Sequence, residues 1–261
     1  IRNNGCVMLQ SRLVQNGLSW SMDFDDLEAK AADPDAKVMI LCNPHNPAGR
    51  VWTEEELRKV GDICLRHNVF VISDEIHCEL TYPEHDYTPF ASLGEEFRLH
   101  SATCISPSKA FNIAGLQIAN IVTANNEIRA LIDKAININE VCDVNPFGVE
   151  ATIAAYTPNG AQWLDELRDY LHENWLIVRD FFAANIPTCP VTELEGTYLV
   201  WIDIRSMGLS SDEVTSRLLD EQKLMVNSGS MYGGEGFIRL NIACPRSQVV
   251  EALERMAKVL A

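Results

Sequence analysis

Two residues that could carry covalent chemistry follow apolar segments of this sequence. Asp74 comes directly after one such segment, and Lys109 comes shortly after another. Two hydroxyl side chains precede the lysine, those of Ser106 and Ser108. A lysine amine can form a Schiff base with a carbonyl group, and nearby hydroxyls can bind a phosphate. A carboxylate can keep a heterocyclic nitrogen protonated.

These residue types together are those that an enzyme using pyridoxal 5′-phosphate (PLP) needs. Taken singly, each has a plainer interpretation. Asp74 could be a helix cap or a surface carboxylate, and Lys109 could be a solvated lysine. Their positions at the ends of apolar strands favour the cofactor interpretation, because ligands bind at the carboxyl ends of parallel strands.

Two further segments carry candidate binding residues. Residues 43–50 contain two prolines and a glycine, which fits either an ordinary turn or a rigid loop that presents Asn46 to a cofactor hydroxyl. Arg239 lies inside an apolar strand pattern, where it either faces the surface or binds a carboxylate with two hydrogen bonds. The glycines before it form no dinucleotide-binding motif, since no helix pattern follows them.

The elements that must position these residues alternate between strand and helix. Apolar runs predict buried strands at 37–42, 69–73, 102–105 and 118–123. Helices are predicted from Thr53, with Glu56 completing a capping box, to about His67, and over 126–139. Such alternation favours an α/β fold with a mostly parallel sheet and helices on both faces.

Beyond residue 160 the pattern changes. A long helix is predicted over 160–185, half-buried strands over 197–204 and 237–243, and amphipathic helices over 211–222 and 247–260. We therefore expect two domains, a large one over 1–160 and a smaller C-terminal α+β domain over 161–261.

The composition excludes several classes of function. There are 21 lysines and arginines against 37 acids, a formal net charge of −16, which argues against nucleic acid and anionic membranes as partners. No apolar run is long enough for a transmembrane helix. The eight cysteines form no C-x-x-C pair and the six histidines no ligand spacing, so we expect reduced thiols in a cytoplasmic protein and no metal site.

Five segments together resemble the class I and II aminotransferase superfamily of fold-type I PLP enzymes. Within it they are most similar to the MalY/PatB branch of cystathionine β-lyase-like C–S lyases. The segments are 43–50, with His45 between two Asn-Pro pairs, 73–77, 87–93, 106–117 and 237–246. The resemblance covers essentially the whole chain and implies the aspartate aminotransferase-like fold.

The resemblance implies a role for each candidate residue. Lys109 would be the Schiff-base lysine and Asp74 the partner of the pyridine nitrogen, while Asn46 would contact the ring hydroxyl. Arg239 would bind the substrate α-carboxylate, with Asn46 beside it. The remaining cofactor-binding residues would be Ser106 and Ser108 at the phosphate, and His77 where many aminotransferases have a tyrosine.

Two departures from the family pattern matter. Gln117 stands where many aminotransferases have a phosphate-binding arginine, which favours the lyase branch. Family members also carry a further part of the large domain before the segment that resembles residues 1–23. That part supplies a helix N-terminus under the phosphate and a residue that stacks on the ring. We therefore expect the chain to be an N-terminally truncated fragment.

The resemblance implies a PLP-dependent β-elimination that cleaves cystathionine or cysteine-type amino acids to a thiol, pyruvate and ammonia. Lys109 would remove the Cα proton. An aminotransferase that passes the amino group to a 2-oxo acid shares every residue named so far. An inactive remnant or a regulatory binding protein on the same fold is the third hypothesis. Full-length members of the family are homodimers.

Overall fold

The computed structural model describes residues 1–261, which form two compact units. The first unit consists of Ile1–Asn43, Trp52–Cys78 and Tyr87–Ile153, and the second of Pro44–Val51, Glu79–Asp86 and Ala154–Ala261. The division into domains at residue 160 stays a prediction; that position lies in the first turn of a long helix, Pro158–Asn185.

The first unit is built on a four-stranded sheet. It opens with a hairpin of β1 (Val14–Asn16) and β2 (Ser19–Ser21). The sheet strands, in spatial order, are β3 (Val38–Cys42), β4 (Phe70–Asp74), β5 (Ser101–Ile105) and β6 (Asn120–Val122). β3, β4 and β5 are parallel, and β6 is antiparallel to β5. The predicted mostly parallel sheet is confirmed.

Helix α2 contributes one apolar face to the core of the first unit. The helices are α1 (Phe24–Ala31), α2 (Glu54–Arg66), α3 (Glu95–Leu99), α4 (Asn126–Ile138) and α5 (Pro146–Ala155). Leu57, Val60 and Ile63 recur at helical spacing, so one face of α2 packs on Val69 and Val71. Trp52 is fully buried beside them, and its indole nitrogen donates to the Cys42 carbonyl at 2.8 Å.

The two outer strands of this sheet differ from the prediction. Val38 and Ile40 of β3 are 55% and 53% exposed, and the β6 side chains are exposed as well. The prediction of fully buried strands is therefore wrong at these positions. Apolar residues identify a strand but not its place in the sheet, and β3 and β6 each have a single hydrogen-bonded neighbour.

The second unit has an antiparallel sheet covered by helices. Its strands are β7 (Leu199–Asp203), β8 (Asn227–Ser228) and β9 (Phe237–Asn241), in the order β7-β9-β8. Its helices are α6 (Pro158–Asn185), α7 (Ser211–Gln222) and α8 (Arg246–Leu260). No helix of the chain combines the length and apolar character required to cross a membrane.

β7 was expected to be half-buried, yet all five of its residues are buried. The prediction of a half-buried strand is therefore wrong for β7. The segment before it also covers its free edge, because the Thr192 amide donates to the Trp201 carbonyl at 2.9 Å and the Asp203 amide donates to the Pro190 carbonyl at 2.9 Å.

The predicted capping box at the start of α2 is confirmed. The Glu56 amide donates to the Thr53 hydroxyl, and the Thr53 amide donates to the Glu56 carboxylate at 2.9 Å. These bonds satisfy two of the amides that a helix start leaves without partners. α2 therefore begins where the sequence indicates.

Replacing Thr53 by alanine should lower the free energy of unfolding by about 1 kcal/mol, because the Glu56 amide loses its acceptor. Urea unfolding followed by circular dichroism measures the change. Thr53→Ser keeps the hydroxyl and serves as the control, with a stability close to that of the unaltered protein. Equal losses in both variants would assign the effect to the threonine methyl group instead.

Candidate active site

Asp74 ends the strand β4, which lies between two parallel neighbours. In the strand register, Asp74 pairs with Cys42 of β3 and with Cys104 of β5. Side chains at paired positions of adjacent strands point to the same face of a sheet. Asp74 is therefore flanked by a thiol on either side at the carboxyl edge of the three strands.

The Asp74 carboxylate is half-buried and poorly satisfied. Burial raises its pKa, while the Ile76 amide, which donates at 3.4 Å, and the positive charge of Lys109 lower it. Burial disfavours the charged form of an acid, and the two opposing interactions do not cancel that effect. The site therefore favours a further cation or donor next to Asp74.

The two flanking thiols bring no charge to this position. Burial and the charge of Asp74 raise the pKa of Cys42 to about 11. Burial, followed by Asp74 and Glu75, raises the pKa of Cys104 as well. Both side chains are thus neutral thiols near pH 7, which are weak hydrogen-bond donors.

Lys109 lies in a tight turn after β5. The Phe111 amide donates to the Pro107 carbonyl at 2.9 Å, and the Ile113 amide donates to the Ser108 carbonyl at 3.2 Å. The Lys109 amine makes no hydrogen bond or salt bridge, although its charge acts on Asp74. The structure thus couples Lys109 and Asp74 electrostatically and leaves the amine available for a reaction.

The two predicted phosphate-binding serines hold this turn in shape. The Ser106 hydroxyl donates to the Ile118 carbonyl at 2.6 Å and accepts the Ser108 amide at 3.1 Å. The single hydroxyl proton of Ser106 is therefore already bound to the backbone. Phosphate binding by Ser106 and Ser108 stays a prediction.

His77 is buried in the turn that follows β4. The turn is closed by the Cys78 amide, which donates to the Glu75 carbonyl at 3.0 Å. This places His77 three residues beyond Asp74 on the same connection. Its contact with a cofactor ring hydroxyl stays a prediction.

In the second unit, Arg239 and Asn46 are brought together. Nη1 of Arg239 donates to Oδ1 of Asn46 at 3.0 Å, and Nη2 donates to Oδ1 of Asn227 at 3.3 Å. The guanidinium carbon lies 4.4 Å from the ring centre of Tyr232. Nε of Arg239 is buried and has no partner. A buried donor without an acceptor is costly, so the site fits an anionic ligand.

The electrostatics of Arg239 also favour an anion. Burial lowers its pKa, whereas Tyr232 and Tyr198 raise it. Burial raises the pKa of Tyr198 in turn, and the charge of Arg239 lowers it. A planar guanidinium that lies over the Tyr232 ring and donates to two amides suits bidentate binding of a carboxylate.

Sequence reasoning did not find Asn227, Tyr198 or Tyr232. Asn227 pairs with Arg239 in the register of β8 and β9, which becomes visible only once the strands are aligned. The periodicity of a sequence indicates which face of a strand a residue lies on. It does not indicate which residues of other segments that residue contacts, so it could not place these three residues beside Arg239. The glycines near 229–236 were the available signal for a tight turn beside this strand.

The loop that carries Asn46 is fixed by a largely buried ion pair that the sequence did not reveal. Nε of Arg50 donates to Oε2 of Glu195 at 2.9 Å, and the Val51 amide donates to the same oxygen at 2.8 Å. Gly49 has φ +73°, and a Cβ atom there would lie 2.7 Å from Cδ1 of Leu194. Only glycine fits this close approach.

The residues of each unit fit the groups that PLP chemistry requires. Asp74, whose pKa burial raises, suits a protonated ring nitrogen, and the uncommitted amine of Lys109 suits a carbonyl carbon. The unpartnered Nε of Arg239 suits the carboxylate of an amino acid. The donor sets therefore fit the cofactor and an amino-acid substrate.

Comparisons with known proteins agree with this chemistry. The profile of the aminotransferase class I and II family matches residues 1–256. Cystathionine beta-lyase PatB of Bacillus subtilis (strain 168) is 40% identical, covering 100% of this chain and 67% of that protein. Protein MalY of Escherichia coli (strain K12) is 35% identical, covering 95% of this chain and 64% of that protein.

A solved structure shows the same fold. Cystalysin from Treponema denticola, whose crystal structure contains pyridoxal 5′-phosphate, has a TM-score of 0.96 at 34% identity. The match covers 100% of this chain and 66% of that one. The chain thus spans about two thirds of the length of these relatives.

Because the pKa of Asp74 is raised, replacing this residue by a neutral one should increase the free energy of unfolding, by an amount that depends on pH. Its ionisation is harder in the folded than in the unfolded protein, so its contribution to stability is present below the unfolded pKa of about 3.9 and is lost as the pH rises. Asp74→Asn should therefore stabilise the unliganded protein against urea at pH 7, and the gain should shrink as the pH falls through the raised folded pKa and be absent below about 4.

Asp212 provides a control of opposite sign. Hydrogen bonds from the hydroxyls of Ser228 and Ser230 lower its pKa, so its contribution is present above the unfolded pKa. Asp212→Asn should destabilise the protein at pH 7. A loss of stability in Asp74→Asn at pH 7 would contradict the assignment of a desolvated carboxylate.

Proposed function

The chain belongs to the class I and II aminotransferase family, and on that premise we propose that it acts as a PLP-dependent carbon–sulfur β-lyase. The observation that carries the proposal is the pair of Asp74 and Lys109. One is a desolvated carboxylate at a strand end, and the other is an amine with no hydrogen bond or salt bridge. The relatives named as cystathionine β-lyases support the choice of reaction.

The proposal assigns a task to each candidate residue. Lys109 would hold the cofactor covalently, Asp74 would keep its ring nitrogen protonated, and Asn46 and His77 would contact its ring hydroxyl. Ser106 and Ser108 would bind its phosphate. When bound, PLP supplies an electron sink for negative charge at Cα of an amino acid. Arg239 would hold the α-carboxylate through the Nε that now lacks an acceptor.

The protein's own groups carry the proton and orient the substrate. The amine of Lys109, freed from the cofactor when the substrate's amine replaces it, would take the Cα proton as general base. The Cβ–S bond then breaks, and its electron pair leaves with the sulfur as a thiolate, which is a good leaving group. Water then hydrolyses the remaining three-carbon fragment to pyruvate and ammonia. Cystathionine and related cysteine-type amino acids are the proposed substrates.

Two properties of the whole protein accompany this proposal. Location in the cytoplasm is supported by the eight cysteines, all of which are free thiols. A homodimer is supported by the large apolar side chains that the first unit exposes, among them Val38, Leu131 and Phe147. Both properties also follow from the family resemblance.

An aminotransferase remains the second candidate, because the family profile includes that activity. By the family resemblance Gln117 favours the lyase, since it stands where many aminotransferases have a phosphate-binding arginine. Product identity separates the two reactions. A lyase releases a thiol and pyruvate from cystathionine, whereas an aminotransferase forms a 2-oxo acid only when an amino acceptor is present.

The proposal predicts that PLP attaches to one lysine. Adding PLP to the 261-residue chain should produce a visible absorption band, and borohydride reduction followed by peptide mass spectrometry should locate the label on Lys109. Lys109→Ala should abolish both the label and pyruvate release. Lys134→Ala, which alters a lysine on α4, should leave both unchanged. A label on another lysine would refute the assignment.

Arg239→Lys should raise KM for cystathionine at least about tenfold, because an ammonium cannot reproduce the two-pronged contact with a carboxylate. Steady-state kinetics of pyruvate release measure it. Arg205→Lys is the matched control, since that arginine of the same unit pairs with Asp203. An unchanged KM in Arg239→Lys would assign the carboxylate to another residue.

A further inference from the structure

Glu75 is a buried carboxylate beside Asp74 that the proposed reaction does not use. Its side chain is fully inaccessible to solvent. Oε1 accepts the Ser73 hydroxyl at 2.7 Å and the Phe90 amide at 3.0 Å, and Oε2 accepts the Tyr87 hydroxyl. Acids are rarely buried so completely, and these three hydrogen bonds offset the cost of burying this one.

Glu75 and Asp74 point to opposite faces of the strand end. The Glu75 amide donates to the Cys104 carbonyl at 2.9 Å, which continues the pairing of β4 with β5 for one residue. Successive side chains of an extended strand alternate between faces, and Ser73 and Glu75 accordingly share one face and bond to each other. The same short stretch of backbone therefore holds both carboxylates.

Glu75 connects this backbone to the segment 87–90 through its hydrogen bonds with Tyr87 and Phe90. A further hydrogen bond holds the same segment, because Nδ2 of Asn43 donates to the Thr88 carbonyl at 2.9 Å. The Asn43 amide in turn donates to the Asp74 carbonyl at 2.9 Å. A closed set of bonds thus runs from Asp74 through Asn43 and the segment back to Glu75. Movement of Asp74 would break several of them at once.

We infer that Glu75 is a positioning residue for Asp74, and that Tyr87 acts with it. Their contact holds the end of β4 so that the Asp74 carboxylate keeps a constant place and direction, although its own side chain has only one long hydrogen bond. This inference rests on the proposed function. It also gives a role to residues 87–90 of the segment 87–93, which the reaction itself does not employ.

Three variants separate positioning from general stability. Glu75→Ala removes all three acceptor contacts, and Tyr87→Phe removes one with little change in volume. Glu75→Gln is the rescue variant, because its amide oxygen can accept from Ser73 and Phe90 while its amide nitrogen donates to the Tyr87 oxygen. Should Glu75→Ala fail to fold, Tyr87→Phe and Glu75→Gln decide the matter.

Thr103→Val is the matched control. Thr103 is buried in β5 directly opposite Ser73 in the register, and its hydroxyl has no hydrogen-bond partner. The substitution alters a neighbouring position of the same sheet and removes none of the hydrogen bonds of Glu75. It should behave like the unaltered protein in both measurements below.

The first measurement needs no cofactor. Hydrogen exchange of the Asn43 amide, which donates to the Asp74 carbonyl, should become about tenfold faster in Glu75→Ala and in Tyr87→Phe, with recovery in Glu75→Gln. Unchanged protection of this amide in both Glu75→Ala and Tyr87→Phe would overturn the inference, whatever the protein does with PLP.

The second measurement follows bound PLP in the full chain. A misplaced Asp74 would hold less positive charge on the ring nitrogen. The visible absorption reports the proton on the nitrogen that links Lys109 to PLP, and a less positive ring retains that proton to higher pH. The pH midpoint of the absorption change should therefore rise by roughly one unit in Glu75→Ala and Tyr87→Phe. Midpoints equal to that of Thr103→Val would refute the role of Glu75. If the unaltered chain forms no band at all, the proposed function fails, and the exchange measurement still decides the inference.

Discussion

The half-satisfied charge of Asp74 is the constraint on which the candidate site depends. The parallel register of β3, β4 and β5 places this carboxylate between two thiols that burial keeps neutral. Burial raises its pKa, and the charge of Lys109 offsets only part of that effect. A protein tolerates such a cost where a ligand removes it, and a protonated pyridine nitrogen has the required charge and donor.

The neighbouring carboxylate shows the opposite solution to the same problem. Glu75 is more deeply buried than Asp74, yet both of its oxygens are satisfied by groups of the protein. The two adjacent acids, which lie on opposite faces of one strand end, therefore make different kinds of contact. Glu75 stabilises the backbone by internal hydrogen bonds, and Asp74 keeps its oxygens available to a ligand. The two acids therefore differ in how far the protein itself satisfies their oxygens.

The second unit contains a cation, Arg239, whose hydrogen-bonding groups are likewise only partly satisfied by the protein. Two nitrogens of the Arg239 guanidinium have amide acceptors from Asn46 and Asn227, while Nε is buried without one. The loop with Asn46 is held by the pair of Arg50 and Glu195, which are 145 residues apart in sequence. Arg239 thus keeps one buried donor without an acceptor, which suits the carboxylate that the proposed function assigns to it.

The sequence by itself determined the alternation of strands and helices, the capping box of α2, and the positions of Asp74 and Lys109 after strands, because these features depend on residues close together in the chain. The tertiary structure alone decided which strands are exposed edges, that Asn227 lies opposite Arg239, and that Glu75 meets Tyr87. Periodicity indicates which face a side chain takes. Its partner depends on strand register and loop closure, which bring distant residues together and leave no local pattern.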